Sequence, residues 1–257
     1  MDNAQHEADI LDQFTRQAEP FLTRHAGGKD ALLDLMAACA QPRPEDILLD
    51  VACGPGIISC FFAKRVGRVV GVDMVPAMLD CAKRLQTERG LRNIEWKLGR
   101  STALPFAEET FDCVLTRFSF HHYLDPLAGL REMKRVCRRG GTVLVADVAP
   151  RQESQERFNE WEILRDPSHT RALTLQEFLS LGEEAGLTVN RRESFSLLMD
   201  LEELLSGSFP KPGDARRIRE MFEEDIHTGQ DSLGVAARDE NGAIKITYPV
   251  AVLAWRK

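Results

Sequence analysis

The sequence predicts an α/β protein: a doubly wound, mostly parallel sheet of seven strands, preceded by helices and interrupted by a helical cap. Three observations carry this expectation. Between residues 47 and 147, short runs rich in Val, Leu and Ile alternate with helix-length segments, the pattern of parallel strands covered on both faces. A loop of small residues, Ala52-Cys53-Gly54-Pro55-Gly56, joins the first run to the helix behind it. A chain of 257 residues that is 43% hydrophobic suffices for one large domain.

The elements follow in order. Residues 4–40 read as two helices. In the first, Ile10, Phe14, Ala18, Phe21 and Leu22 share one stripe, and "DALLDLMAACA" resumes after Gly27-Gly28. "QPRPED" breaks the helical pattern and delivers the chain into the buried strand "ILLDVA". The alternation then runs through a helix at 57–66, a strand at 68–73, a helix at 76–89 and strands at 94–98 and 111–117. A helix at 126–137 and a strand at 141–147 complete it. Arg138 and Arg139 suit the C-terminus of that last helix electrostatically, and Gly140 suits its cap.

After Pro150 the rhythm changes. Residues 153–165 and 174–185 look helical, 187–198 extended, and 201–206 and 214–227 helical again. "AIKITYPVAVLAW" closes as a strand in which Pro249 suggests an edge or a bulge. The expected layout is one domain over 1–257. It comprises an N-terminal helical extension at 1–44, a core at 45–150, a cap or insertion at 151–186, and the rest of the sheet and helices at 187–257.

Composition excludes several classes. A formal net charge of -7 argues against nucleic acid as the main partner. The longest apolar runs, such as 57–63, are far too short to span a bilayer, and "MDNAQHEADI" lacks signal-peptide character. A soluble, cytoplasmic protein without a membrane or nucleic-acid partner is expected. The six cysteines contain no C-x-x-C pair and read as buried, reduced thiols; no cluster of metal-binding carboxylates is evident, so no metal is expected.

The glycine loop narrows the chemistry. A P-loop needs Lys followed by Ser or Thr after its second glycine, and "GPGIIS" has neither. A dinucleotide fingerprint needs a third glycine, where this chain has Ser59. Asp50 stands before the loop and Asp73 ends the next strand, where a carboxylate can accept from both hydroxyls of a ribose. NAD and S-adenosylmethionine both carry ribose, but an acidic residue opening the loop suits the cationic amino-acid portion of S-adenosylmethionine. Cys53 reads as a small filler in the same loop.

Here the chain resembles the class I S-adenosylmethionine-dependent methyltransferases, in the branch similar to the ubiquinone/menaquinone C-methyltransferases. "LLDVACGPG", "VVGVDMVPAMLDCAKR", "ALPFAEETFDCVLTRFSFHHYLDP" and "LREMKRVCRRGGTVLVAD" carry the resemblance over residues 48–147, in the family's order and spacing. More thinly, "DQFTRQAEPF" and "LRDPSHTRALTLQEF" extend it over most of the chain. The resemblance implies a Rossmann-like methyltransferase fold and S-adenosylmethionine as cofactor. It implies that residues 52–56 lie under the methionine moiety and that Asp73 binds the ribose hydroxyls. Met74 would pack on the adenine, Ser101, Thr102 and Ala103 would line the adenine edge, and Arg117 and Phe118 would face the transferable methyl. One position departs from the pattern. The family usually has an Asp before "LPF" that accepts from the adenine amine, and "GRSTALPF" has Arg100 in its place. Arginine has no acceptor, so that contact must come from Ser101, a carbonyl or water.

His122, His121 and Arg117 are the candidates for chemistry. Both histidines directly follow the fourth strand, at the edge where open α/β sheets bind ligands, and His122 there could take a proton from a phenol, enol or activated carbon. The competing role for either imidazole is internal packing and hydrogen bonding. In the cap, Arg165, His169 and Arg171 could hold an anionic substrate or fix the cap to the sheet. Phe14 and Phe21 could shield the methyl from water or serve simply as core. The expected function is methyl transfer to a carbon or oxygen of a small organic molecule, by in-line displacement without a metal. A protein that binds the cofactor without transferring methyl, and a nicotinamide-dependent oxidoreductase, are the alternatives.

Overall fold

The computed structural model describes residues 3–25 and 31–257; the Gly27-Gly28 break and the side chain of Leu22 lie outside what is described. The chain runs α1 (Asn3–His25), α2 (Ala31–Ala40), β1 (Ile47–Val51), α3 (Ile57–Phe62), β2 (Arg68–Asp73), α4 (Pro76–Glu88), β3 (Ile94–Leu98) and β4 (Phe111–Arg117). A single 3₁₀ turn (Phe120–His122) leads to α5 (Pro126–Val136), β5 (Cys137–Val148), α6 (Gln155–Arg165), α7 (Leu175–Glu184) and β6 (Thr188–Asp200). Then come α8 (Leu201–Ser206), α9 (Asp214–Thr228), β7 (Arg238–Glu240) and β8 (Ala243–Arg256).

The strands form one sheet in the order β3-β2-β1-β4-β5-β8-β6. β1 to β5 are parallel, and β8 is antiparallel to both of its neighbours. The order reverses between β1 and β4, which opens a crevice at their carboxyl ends. The sheet has eight strands, one more than expected. β7 makes a hairpin with β8 through Asn241 and Gly242, both at positive φ (57° and 84°), the requirement of a two-residue type I′ turn. That Asn-Gly pair was the available signal.

Side chains alternate between the two faces. Leu48, Leu115 and Leu144 belong to the core beneath α2 and α3, whereas Leu49, Val114 and Val145 belong to the core beneath α5 and α7. Local sequence sets several helix starts. Asp125 caps α5 by accepting from Ala128 N at 2.9 Å, with Pro126 at the first helical position, and Thr174 and Glu177 form a capping box on α7.

Two expectations change. α5 ends at Val136 and Cys137 is already extended, so Arg138 and Arg139 do not serve a helix terminus; they pair with Asp112 (2.7 Å) and Glu109 (3.0 Å). Gly140 adopts φ 72° within the β5 segment and donates its N–H to the Lys257 carbonyl at 2.9 Å. Pro249 lies on neither an edge nor a bulge, because β8 is interior. Its carbonyl accepts from Ala149 N at 2.8 Å, so its nitrogen faces the same side, just beyond Val148 where β5 runs out of ladder. Opposite Ala149, the proline lacks the N–H that would return a bond to the Ala149 carbonyl, and the ladder ends there.

α1 packs over the crevice, with Ala18 against Val75, Met78 and Cys81. α6 forms another wall, its Trp161 and Phe158 stacking with Tyr248 of β8 and Phe222 of α9. α7, placed in the cap by sequence, lies against the sheet; a Cβ on Gly182 would come within 2.3 Å of the Trp255 indole nitrogen.

Candidate active site

A cavity of about 260 Å³ occupies the crevice, roofed by α1 and bounded by α6 and α8. Its cofactor end is built from β1 and β2. Ala52 and Gly54 take positive φ (54° and 51°), which turns the backbone N–H of Gly54 onto Asp73 Oδ2 at 2.8 Å. Val75 N donates to the other oxygen at 2.9 Å. Burial pushes the Asp73 carboxyl up, and these N–H donors together with that of Met74 oppose it. Each oxygen keeps acceptor capacity for a ligand hydroxyl.

Of the residues that the sequence assigned to the cofactor, Ala52, Cys53, Gly54, Asp73, Met74, Ser101 and Arg117 line the cavity. Cys53 is buried and its thiol is pushed well up by that burial, so it serves as a filler. Gly56 and Asp50 do not line the cavity. A Cβ on Gly56 would lie 2.6 Å from the Trp96 ring and 2.9 Å from Ala82 Cβ, so this glycine permits close packing of α3 on α4 and β3. Asp50 sits fully buried beneath the loop, where Ser59 donates to Oδ2 at 2.6 Å. Ser59 therefore replaces the third glycine with a hydroxyl that holds a carboxylate. Burial raises the Asp50 pKa to about 7, and Oδ1 has no partner in the structure. A buried acceptor left unmet beneath the loop, and the spare lone pairs of Asp73, fit a ligand carrying a cationic amine and a vicinal diol. S-adenosylmethionine is such a ligand. Thr102 and Ala103 are exposed and lie outside the cavity lining, so of the adenine-edge segment only Ser101 reaches it. Arg100 turns outward to Glu7 of α1 at 2.6 Å.

The opposite end holds a buried histidine cluster. His121 Nδ1 lies 2.6 Å from Asp147 Oδ1. Asp147 is fixed by backbone donors as well: Ser119 N (3.0 Å), Phe120 N (2.7 Å) and Val148 N (2.7 Å). Burial alone would lower the His121 pKa, but the charge and hydrogen bond of Asp147 outweigh it and the net direction is up. With its proton on Nδ1, His121 keeps the Nε2 lone pair.

His122 faces the cavity differently. Its Nδ1 donates to the Ser168 carbonyl at 3.0 Å, and its ring meets Phe14 edge-on at 5.0 Å. Burial and the neighbouring His121 push its pKa down to about 4, so it is neutral and weakly basic. Its carbonyl accepts from His6 of α1 at 2.7 Å. Phe14 and Phe21 line the cavity from α1.

The cap residues divide. Arg165 lines the cavity, but its guanidinium is committed to Glu162 Oε2 (2.6 and 3.1 Å) and Ser208 Oγ (2.9 Å). His169 lies outside the lining, buried with Nε2 bonded to Asn159 Oδ1 at 2.7 Å, and burial drives its pKa well down. Arg171 is exposed and paired with Glu177. Neither lines the cavity: His169 packs behind the cavity histidines, its ring 5.4 Å from that of His121, and Arg171 is exposed. Sequence reasoning missed Asp147, Tyr123, Glu162 and Tyr248, all cavity or dyad residues. Asp147 carried a signal: it ends a strand in the same way as Asp50 and Asp73. Among the described residues, no three His, Cys, Asp or Glu side chains gather as a metal site, and no helix is long and apolar enough to cross a membrane.

Comparisons with known proteins agree with this geometry. A family model described as a methyltransferase domain matches residues 49–145. The chain is 31% identical over 170 residues to the uncharacterized methyltransferase YcgJ of Bacillus subtilis, covering 65% of this chain and 67% of that protein. The crystal structure of YcgJ superposes with a TM-score of 0.80 at 24% identity, over 88% of this chain and 97% of that one. The chain is also 36% identical over 126 residues to the ubiquinone/menaquinone biosynthesis C-methyltransferase UbiE of a Ruegeria species, 48% of this chain and 49% of that protein. Geranyl diphosphate C-methyltransferase from Streptomyces coelicolor, solved with S-adenosyl-L-homocysteine, shares the fold at TM-score 0.61 and 16% identity, over 88% of this chain and 77% of that one.

Proposed function

The chain belongs to the S-adenosylmethionine-dependent methyltransferases, and on that premise we propose that it methylates a carbon or oxygen nucleophile of a small organic molecule, in line and without a metal. The single observation that carries this reading is the His121–Asp147 pair at 2.6 Å, on the same cavity as Asp73. S-adenosylmethionine, when bound, supplies a methyl group already activated by its sulfonium. The residues of this chain then have three tasks: to hold donor and acceptor in line, to exclude water and to take a proton.

Asp73 and the loop at 52–54 position the cofactor. α1 closes the cavity from above, tied down by His6 on the His122 carbonyl and by Gln17 on Asp166 at 3.4 Å. With Phe14 and Phe21 facing inward, it keeps water from the methyl. His121 is the proton acceptor in this reading. Asp147 orients its ring, keeps the proton on Nδ1 and raises the basicity of Nε2, the open nitrogen. The low pKa of His122 supports a different role there: a neutral wall that fixes the 3₁₀ turn to the cap through Ser168.

The cavity is lined mainly by apolar side chains, among them Ile57, Leu197 and Met199; of its two arginines, Arg117 is half-buried and Arg165 is buried and matched by Glu162. This supports an uncharged acceptor of the phenol or enol type. We place this activity in the cytoplasm, with no nucleic-acid or membrane partner, and assign residues 45–150 to the cofactor and, of the expected cap, the α6 part with Glu162, Arg165 and Asp166, together with α1, to the acceptor. Gly56 serves packing and Ser59 holds Asp50, so neither position favours a pyrophosphate.

The test uses methyl-labelled S-adenosylmethionine with a panel of naphthols, hydroxyquinones and 1,3-dicarbonyl enols. Wild type should give labelled product from at least one of them. His121→Gln should lower turnover by about 100-fold or more with the affinity for S-adenosylhomocysteine unchanged within about threefold. Full turnover in His121→Gln would remove it from the chemistry.

A further inference from the structure

The chain leaves β4 through a conformation that most L-residues avoid. Phe118, the first residue past Arg117, has φ 53°, in the left-handed region that glycine and asparagine tolerate and bulkier side chains resist. Its ring is half-buried on the cavity wall, its centroid 5.4 Å from Arg117 Cζ. Ala52, the first residue past β1, takes φ 54° across the crevice, but its side chain is a single methyl.

The directions of the backbone N–H groups show what the left-handed residue does. Along an extended strand, successive N–H groups point alternately to the two neighbouring strands. Phe118 N donates to the Ala146 carbonyl of β5 at 2.9 Å, so an extended chain would turn Ser119 N toward β1. Instead Ser119 N and Phe120 N both point to β5 and meet on Asp147 Oδ2, at 3.0 and 2.7 Å. Ser119 has φ -128° and ψ -30°, so a left-handed residue is followed by one turned the other way, and their consecutive N–H groups form a concave nest for an anion. The anion in this nest belongs to the chain itself. With Oδ2 held there and Val148 N on Oδ1 at 2.7 Å, the carboxylate has one orientation, and it presents Oδ1 to His121 Nδ1 at 2.6 Å. The Ser119 carbonyl then accepts from His122 N at 3.0 Å, which closes the 3₁₀ turn carrying both histidines.

We infer that Phe118 is a positioning residue for proton transfer: its left-handed backbone, rather than its ring, aims the two N–H groups that hold Asp147 on His121. The inference rests on His121 as the proton acceptor. The unfavourable φ is offset by the charge-assisted bonds that it makes possible, and the pair stands assembled before any acceptor arrives. His121 is also faced by His122 of its own turn, His169 of the loop after α6, and Glu162 and Arg165 of α6. Asp147 is the partner that the nest controls.

The experiment compares the wild-type chain with Phe118→Gly, Phe118→Asn and Phe118→Val, taking Asp147→Asn as the reference for a broken pair. Ring-proton NMR of His121 reads the pair, hydrogen exchange at the Ser119 and Phe120 amides reads the nest, and turnover against pH reads the consequence. Phe118→Gly and Phe118→Asn reach a left-handed φ without the ring, and His121 should titrate at the wild-type position in both. Phe118→Val keeps an apolar side chain whose branch resists that φ, so the His121 pKa should fall toward that of Asp147→Asn. The two amides should then exchange about 10-fold or more faster. The pH of half-maximal turnover should move with the His121 pKa in each variant. Where Phe118→Val does not fold, Phe118→Ala takes its place and should unfold at lower denaturant than Phe118→Gly, the reverse of the order outside the left-handed region. A His121 pKa that falls in both Phe118→Gly and Phe118→Asn would overturn the inference and assign the pair to the ring. A folded Phe118→Val with wild-type pKa and exchange would overturn it too, as would Phe118→Ala more stable than Phe118→Gly. NMR and exchange need no substrate, so failure of the proton-acceptor reading shows separately, as turnover whose pH dependence ignores a shifted His121 pKa.

Discussion

Replacing Asp147 with asparagine removes the charge that contributes most to holding His121 basic. The contact is a charge-assisted hydrogen bond of 2.6 Å between groups at 1% and 7% exposure. Such bonds contribute about 1.5–3 kcal/mol, and 1.36 kcal/mol corresponds to one pKa unit. The His121 pKa should therefore fall, from above the ordinary histidine value to below it, because burial then meets only the weaker opposition of Glu162. Ring-proton NMR reads this directly. The chain has only six histidines, and the His121 signals are those missing from His121→Gln. Stability should follow with a definite sign. A folded pKa raised above that of the unfolded chain stabilises fully below about 6.5, and that stabilisation is lost as pH rises through the folded value. The gap in unfolding free energy between wild type and Asp147→Asn should thus be wider at pH 6 than at pH 9. An Asp147→Asn variant whose His121 still titrates at the wild-type position would refute the dyad.

Asp73→Ala should weaken S-adenosylhomocysteine by roughly 10–100-fold in calorimetry, the worth of a ribose contact to a charge; unchanged affinity would take Asp73 out of the site. Gly56→Ala should lose about 2–5 kcal/mol in denaturant unfolding, from a left-handed φ of 80° and a Cβ 2.6 Å from Trp96. A wild-type midpoint would mean that α3 and Trp96 yield freely. Arg100→Ala should shift S-adenosylhomocysteine affinity by less than about threefold, since its exposed pair with Glu7 lies outside the cavity lining and such pairs contribute little. A tenfold loss would show that Arg100 reads the cofactor after all.

What was legible in the sequence is what lies close along the chain. The glycine loop and Asp73 are 17 or more residues apart, yet each ends a strand of one βαβ unit, so their juxtaposition follows from the parallel pairing of β1 with β2. The histidines were placed correctly at the carboxyl end of β4, but their roles were not readable. Asp147 comes from the next strand, and which imidazole it meets depends on the 3₁₀ turn at Phe120–His122. Arg165, His169 and Arg171 looked equivalent within seven residues. They separate only because Glu162 and Asn159, one and two turns back in α6, take the first two, and Glu177 takes the third. Arg100 looked like a defect in adenine recognition; its partner Glu7 is 93 residues away.

The most direct test of the central claim is transfer itself, read as the appearance of a trideuteromethyl group on a phenolic or enolic acceptor when the chain is supplied with trideuteromethyl S-adenosylmethionine. Labelled product that forms with wild type and drops by about 100-fold in His121→Gln, with S-adenosylhomocysteine released in equal amount, is the expected result. Tight binding of S-adenosylmethionine with no labelled product from any acceptor in the panel, or equal product from both proteins, would contradict the account.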